Sequence, residues 1–157
     1  MEGLRLVTPD LVHLDMRADD RKGAIEELSR LLGEAHCLTD TVTFMRDVWA
    51  RENLSTTGIG FGVAIPHAKS TAVLRPAVAF GRSVPGIEWD SLDGQPVHLA
   101  FLIAVPAEGA ENAHLGILAA LSRKLVHADF RRQLMEVRDK AEVSAALSGI
   151  GAGANDV

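Results

Sequence analysis

Beyond Asp20 apolar residues return every three or four positions, at Ile25, Leu28, Leu31, Leu32 and Ala35. That period lines one face of a helix. Asp19 and Asp20 stand in front of it, where carboxylates cap free amides and favour the positive end of the dipole. The pattern predicts a first helix to about Ala35, stopping near His36 and Cys37. Thr39 or Asp40 then caps a second helix, with Val42, Met45, Val48 and Trp49 on one face and an end near Asn53 and Leu54. Upstream, Leu11-Val12-His13-Leu14 predicts a first strand. Later in the chain, Ala77-Val78-Ala79-Phe80 reads as a strand bounded by Pro76 and by Pro85-Gly86, and Ile87-Glu88-Trp89 as a short edge piece. Asp93-Gly94 is a turn signal. Val97 to Val105 is the longest apolar run, predicted as a central strand covered on both faces. A third helix is expected from about Glu111, with Leu115, Leu118, Leu121 and Leu125 inward. Phe130, Leu134 and Val137 mark a further helix, and Asp139 with Glu142 forms a capping-box pattern for a last one through Leu147, stopped by Gly149. The expected fold is α/β: one domain over residues 1–148, a mixed sheet of about five strands with helices packed on both faces. A mobile tail rich in glycine and alanine is expected over residues 149–157.

Composition narrows the class. A chain of 157 residues, 47% hydrophobic and 24% charged, has the size and profile of one globular domain. No apolar run approaches the ~20 residues a membrane span needs, and the opening M-E-G-L-R lacks a signal-peptide pattern. A cytoplasmic protein without membrane insertion is expected. Cys37 is the one cysteine, so no internal disulfide can form, and a buried structural role suits it. The net charge of −5 argues against nucleic acid as a partner and suits a basic protein surface.

The chemistry concentrates between Thr57 and Lys69, reading T-G-I-G-F-G-V-A-I-P-H-A-K. Gly58, Gly60 and Gly62 let backbone or ligand approach closely. Val63-Ala64-Ile65 reads as a short buried strand. Pro66 fixes its own φ, so His67 sits at the end of a rigid segment. An imidazole with the reference pKa of about 6.5 is largely unprotonated at neutral pH and able to attack phosphorus. A histidine after a strand also occurs as a purely structural residue. The glycines are not a nucleotide loop, because no helix can start at Ile65-Pro66, and there is no G-x-x-x-x-G-K-[ST]. Arg51 falls on the last turn of the second helix, where a cation complements the dipole; a planar guanidinium is also the preferred partner of a phosphoryl group. Lys69 either adds positive charge near His67 or is simply an exposed lysine. His114 falls in the first turn of the third helix, an anion-favouring position, but shares a face with Ile117, Leu118 and Leu121 and could equally be a core-edge residue. Spacing among His67, His114 and His127 is not that of a zinc site, and no metal is expected.

Arg51-Glu52-Asn53 followed by Ser55 through Ala68 resembles the active-site signature of enzyme IIA domains of the bacterial phosphotransferase system, in the fructose/mannitol/nitrogen-regulatory branch. Glu52 takes its acidic or amide position, and Ile59-Gly60 and Val63-Ala64-Ile65-Pro66-His67-Ala68 the rest. Leu92 to Val97, Phe101 to Pro106 and His114 are similar to the same family, and the resemblance runs from about Leu11 to Leu147. It implies a phosphocarrier that accepts a phosphoryl group on His67 from the histidine-containing phosphocarrier protein. It implies passage to an enzyme IIB partner for uptake of a fructose- or mannitol-type sugar, through a covalent phosphohistidine. Arg51 matches the arginine of the family's R-E pair, and His114 its second active-site histidine. No ATP, metal or organic cofactor is implied on this chain. The alternative is a nitrogen-related regulatory protein whose phosphorylation state switches protein binding, since both branches keep the same site.

Overall fold

Aspartates open the first two helices. In the computed structural model, which describes residues 6–108 and 113–150, a two-residue strand β1 (Val12–His13) leads to Asp20. Its carboxylate accepts from the Gly23 amide and starts α1 (Arg21–Glu34). Asp40 accepts from the Val42 and Thr43 amides and starts α2 (Thr41–Glu52). These side chains satisfy amides that the first turn of a helix leaves without partners. The chain then makes β2 (Gly58–Gly60), β3 (Val63–Ala64) and β4 (His67–Ser70), followed by the long strands β5 (Ala77–Ile87) and β6 (Val97–Pro106). Three helices close it: α3 (Ala113–Leu125), α4 (Ala128–Glu136) and α5 (Lys140–Ala146). Asp139 caps the last, accepting from the Ala141 amide at 2.7 Å.

The six strands form one mixed sheet with β6 near its middle. β5 pairs antiparallel along one edge of β6 and carries β1, parallel, on its far side. β3 and β4 pair parallel with the other edge of β6 as successive short segments, and β2 runs antiparallel outside β3. Side chains alternate across the long strands. Ala77, Ala79, Ala100, Leu102 and Ala104 join the core under α1 and α2. Val78, Phe80, Phe101, Ile103 and Val105 join the core under α3 and α5. Small residues on the first face let the two helices lie close to the sheet; the aromatic pair Phe80–Phe101 fills the second.

Helices on both faces agree with the sequence reading, and four details differ from it. The sheet has six strands because the glycine-rich stretch contributes three short ones. β5 runs through Pro85-Gly86 to Ile87, since the register shift between Arg82 and Ile87 forms a bulge where proline need not donate. Val42 and Leu115 are exposed, and their helices bury Phe44 and Ile117 instead. Ile150 is fully buried, so the packed part of the chain extends past residue 148. The expected tail over residues 151–157 and the start of the third helix at Glu111 lie outside the described residues.

Candidate functional site

A tight hairpin builds the approach to His67. Phe61 and Gly62, between β2 and β3, have φ of 58° and 76°, the left-handed values a two-residue hairpin turn requires. Phe61 is no glycine, and its amide is held by Asp93 Oδ2 at 3.1 Å. On β2, a Cβ at Gly58 would lie 2.9 Å from Trp89 Cδ1 and 3.0 Å from Ser91 Cα. Only glycine lets this strand lie against Trp89. The Ile65 amide donates back to the Thr57 carbonyl. Pro66 then interrupts the edge: it has no amide, and its carbonyl accepts from Ile103. His67 is therefore the first residue of a new strand, paired with Ile103, rather than the end of the preceding one.

The His67 ring is half-buried, and its Nδ1 lies 2.9 Å from the Ile65 carbonyl. A carbonyl only accepts, so the proton sits on Nδ1 and the lone pair on Nε2. Burial lowers the His67 pKa below the ordinary imidazole value, opposed by the Ile65 bond. The Arg51 charge lowers it further and the Glu52 charge raises it. The ring is thus neutral at pH 7 and held in a defined tautomer.

The structure brings the three sequence candidates together from three elements. His114, on the first turn of α3, lies near-parallel to His67, with ring centroids 6.1 Å apart and planes inclined by 25°. Its pKa is also lowered, first by burial and then by the neighbouring His67 and by Lys69. His114 Nδ1 is buried and has no hydrogen-bond partner among the described residues. Arg51 sits on the last turn of α2, and its Nη1 donates to the Ser55 carbonyl at 3.1 Å. That bond spends one corner of the guanidinium and orients the rest. Lys69 follows on β4, exposed, with its charge reaching His114.

Glu52 fills the acidic or amide position of the signature, but no chemical role was expected of it from the sequence. It is 2% exposed. Oε2 accepts from the Thr57 amide at 2.8 Å and from Trp89 Nε1 at 3.2 Å, and Oε1 accepts from Thr57 Oγ1 at 2.6 Å. It thereby ties the end of α2 to the start of the glycine hairpin. A carboxylate in the last turn of a helix opposes the dipole, which was the available sign that something else holds it.

Residues 5–149 match the family described as "Phosphoenolpyruvate-dependent sugar phosphotransferase system, EIIA 2". The chain belongs to this EIIA family. It is 43% identical over 145 residues to the fructose-specific EIIA component of Haloferax volcanii, covering 92% of this chain and 94% of that protein. It is 41% identical over 140 residues to the fructose-specific EIIABC component of Bacillus subtilis, covering 89% of this chain and 22% of that longer protein. Among solved structures it resembles the nitrogen regulatory protein IIA-Ntr from Neisseria meningitidis, with a TM-score of 0.83 and 35% identity over 90% of this chain and 96% of that one. As an EIIA chain it is a phosphotransferase component. Among the described residues no helix is long and apolar enough to cross a membrane.

Proposed function

We propose that this EIIA chain carries a phosphoryl group on Nε2 of His67, in the cytoplasm, between a histidine-containing phosphocarrier protein and an enzyme IIB partner of a fructose- or mannitol-type uptake system. The observation that carries the reading is the pair of near-parallel imidazoles in which the Ile65 carbonyl leaves Nε2 of His67 as the free nitrogen. The Nε2 lone pair attacks phosphorus, the donor's P–N bond breaks, and its electron pair returns to the donor ring. The positive charge that develops on the His67 ring is shared with the Ile65 carbonyl through the Nδ1–H. Phosphoryl transfer asks mainly for positioning and charge stabilisation, which Arg51 and the N–H of a neutral His114 supply. No ATP, metal or organic cofactor takes part. Incubation with phosphoenolpyruvate, the general phosphotransferase and the phosphocarrier should yield an acid-labile, alkali-stable adduct; uptake from ATP alone would overturn the reading.

Two variants separate function from packing. Arg51→Lys keeps the charge but loses the planar fork that can hold two phosphoryl oxygens, so transfer should slow while the fold stays intact. Equal single-turnover rates would return Arg51 to a helix-end role. His114→Ala removes one charge-assisted hydrogen bond, worth roughly 1.5–3 kcal/mol. If the bond acts in the transition state, transfer falls on the order of 10- to 100-fold while His67 is still phosphorylated. A lowered melting temperature with a normal rate would take His114 out of the site.

A second reading rests on the likeness to the nitrogen regulatory protein structure. In it the same phosphohistidine switches binding to another protein instead of feeding a sugar. Onward transfer from phosphorylated His67 to a purified fructose-type IIB domain supports transport. A stable phospho-form that ignores IIB and changes its protein partners supports regulation.

A further inference from the structure

Two charges in this fold stand at the wrong ends of their helices. Arg21 is the first residue of α1, at the positive pole, and Glu52 the last of α2, at the negative pole. Each is placed there by the other: Arg21 Nη1 lies 3.5 Å from Glu52 Oε2, across the two helices. The Arg21 guanidinium also lies over the Trp49 ring, 5.3 Å from its centroid, which fixes its direction. The Glu52 side chain has no solvent exposure, and its other donors, the Thr57 amide and hydroxyl and Trp89 Nε1, are all neutral. A buried carboxylate needs a counter-charge, and removing it leaves an unpaired buried ion. Arg51 is the residue just before Glu52, yet its guanidinium donates to Ser55 rather than to that carboxylate.

We propose that Arg21 is a positioning residue: as counter-cation of buried Glu52, it leaves the adjacent Arg51 guanidinium available to the phosphoryl group. The proposal rests on the phosphocarrier reading for its consequence, but its electrostatic part concerns His67 whether or not that ring is phosphorylated. Without Arg21, the carboxylate draws Arg51 toward itself. Arg51 then points away from the incoming phosphoryl group, and an uncompensated negative charge remains behind it. Among the described residues, the charged and titratable groups around the His67–His114 pair are Arg51 and Glu52 on α2 and Lys69 on β4. Two of these change in the same direction when Arg21 is lost: Arg51 withdraws its charge and Glu52 gains influence.

The test follows the His67 ring by NMR titration and the single-turnover acceptance of a phosphoryl group in the same proteins. Arg21→Met should raise the His67 pKa and slow acceptance on the order of tenfold or more, the effect of losing one charge-assisted contact. Adding Glu52→Gln should bring both readings back toward wild type, because a neutral amide needs no counter-cation. Arg21→Lys keeps a charge and should leave the His67 pKa near its starting value, which also serves if Arg21→Met fails to fold. A lowered melting temperature with unchanged pKa and rate would overturn the proposal. So would a double variant as slow as Arg21→Met, or Arg21→Lys behaving like Arg21→Met. If the His67 pKa responds as stated but His67→Ala still accepts a phosphoryl group, the positioning of charge stands and the phosphocarrier assignment fails.

Discussion

His67→Ala is expected to abolish phosphoryl uptake while leaving the protein folded. The ring is half-buried at the start of β4, so its loss removes little core, and the strand is held by backbone pairing to β6. What disappears is the Nε2 lone pair, for which the described site has no substitute: the neighbouring His114 comes from a different element, with its centroid 6.1 Å away and no carbonyl fixing its tautomer. Mass spectrometry of the intact protein after incubation with the phosphocarrier should show one added phosphoryl group in wild type and none in the variant. Uptake of one group by His67→Ala would sink the assignment. The pH dependence has a defined sign. Burial lowers the His67 pKa, so the neutral nucleophile persists to more acidic pH than for a free imidazole. As pH falls from 8, acceptance by wild type should decline with its midpoint below the reference imidazole pKa of about 6.5. A midpoint above that reference value would mean that the ring is not held neutral as the geometry requires.

Trp89→Ala should carry the largest stability cost at the site. Trp89 is 1% exposed, packs directly on the glycine strand and donates to the buried Glu52. Truncating a buried tryptophan typically costs about 3–5 kcal/mol, through lost burial and a residual cavity. In a domain of this size that lowers the melting temperature by roughly 6–20 °C. Trp89→Phe keeps most of the volume and loses the Nε1 donor, leaving the carboxylate one bond short, for about 1–3 kcal/mol. Thermal and denaturant melts of the two variants measure these costs. A Trp89→Ala protein as stable as wild type would mean that the β2–Trp89 contact contributes nothing.

Local chemistry determined a large part of this protein. Asp20, Asp40 and Asp139 open helices because a carboxylate satisfies amides only a few residues away. Val97 to Pro106 is a central strand because a run that apolar is stable only when covered on both faces. The spacing around Pro66 pointed to His67 because the residues that shape its approach are its own chain neighbours. Other features needed the tertiary structure, since they depend on segments far apart in sequence. Val42 and Leu115 fit a helical stripe as well as Phe44 and Ile117 do, and only docking on the sheet chose which face turned inward. Pro85-Gly86 ends a strand by local preference, but a bulge opposite β6 carries β5 through it. The 6.1 Å approach of His114 to His67 comes from α3 and β4 flanking the same end of β6. The Arg21–Glu52 pair runs against the preference of both helix ends, so no local rule could place it. The low-dielectric interior makes that pair necessary, because a carboxylate closed off from water must find its cation wherever the fold brings one.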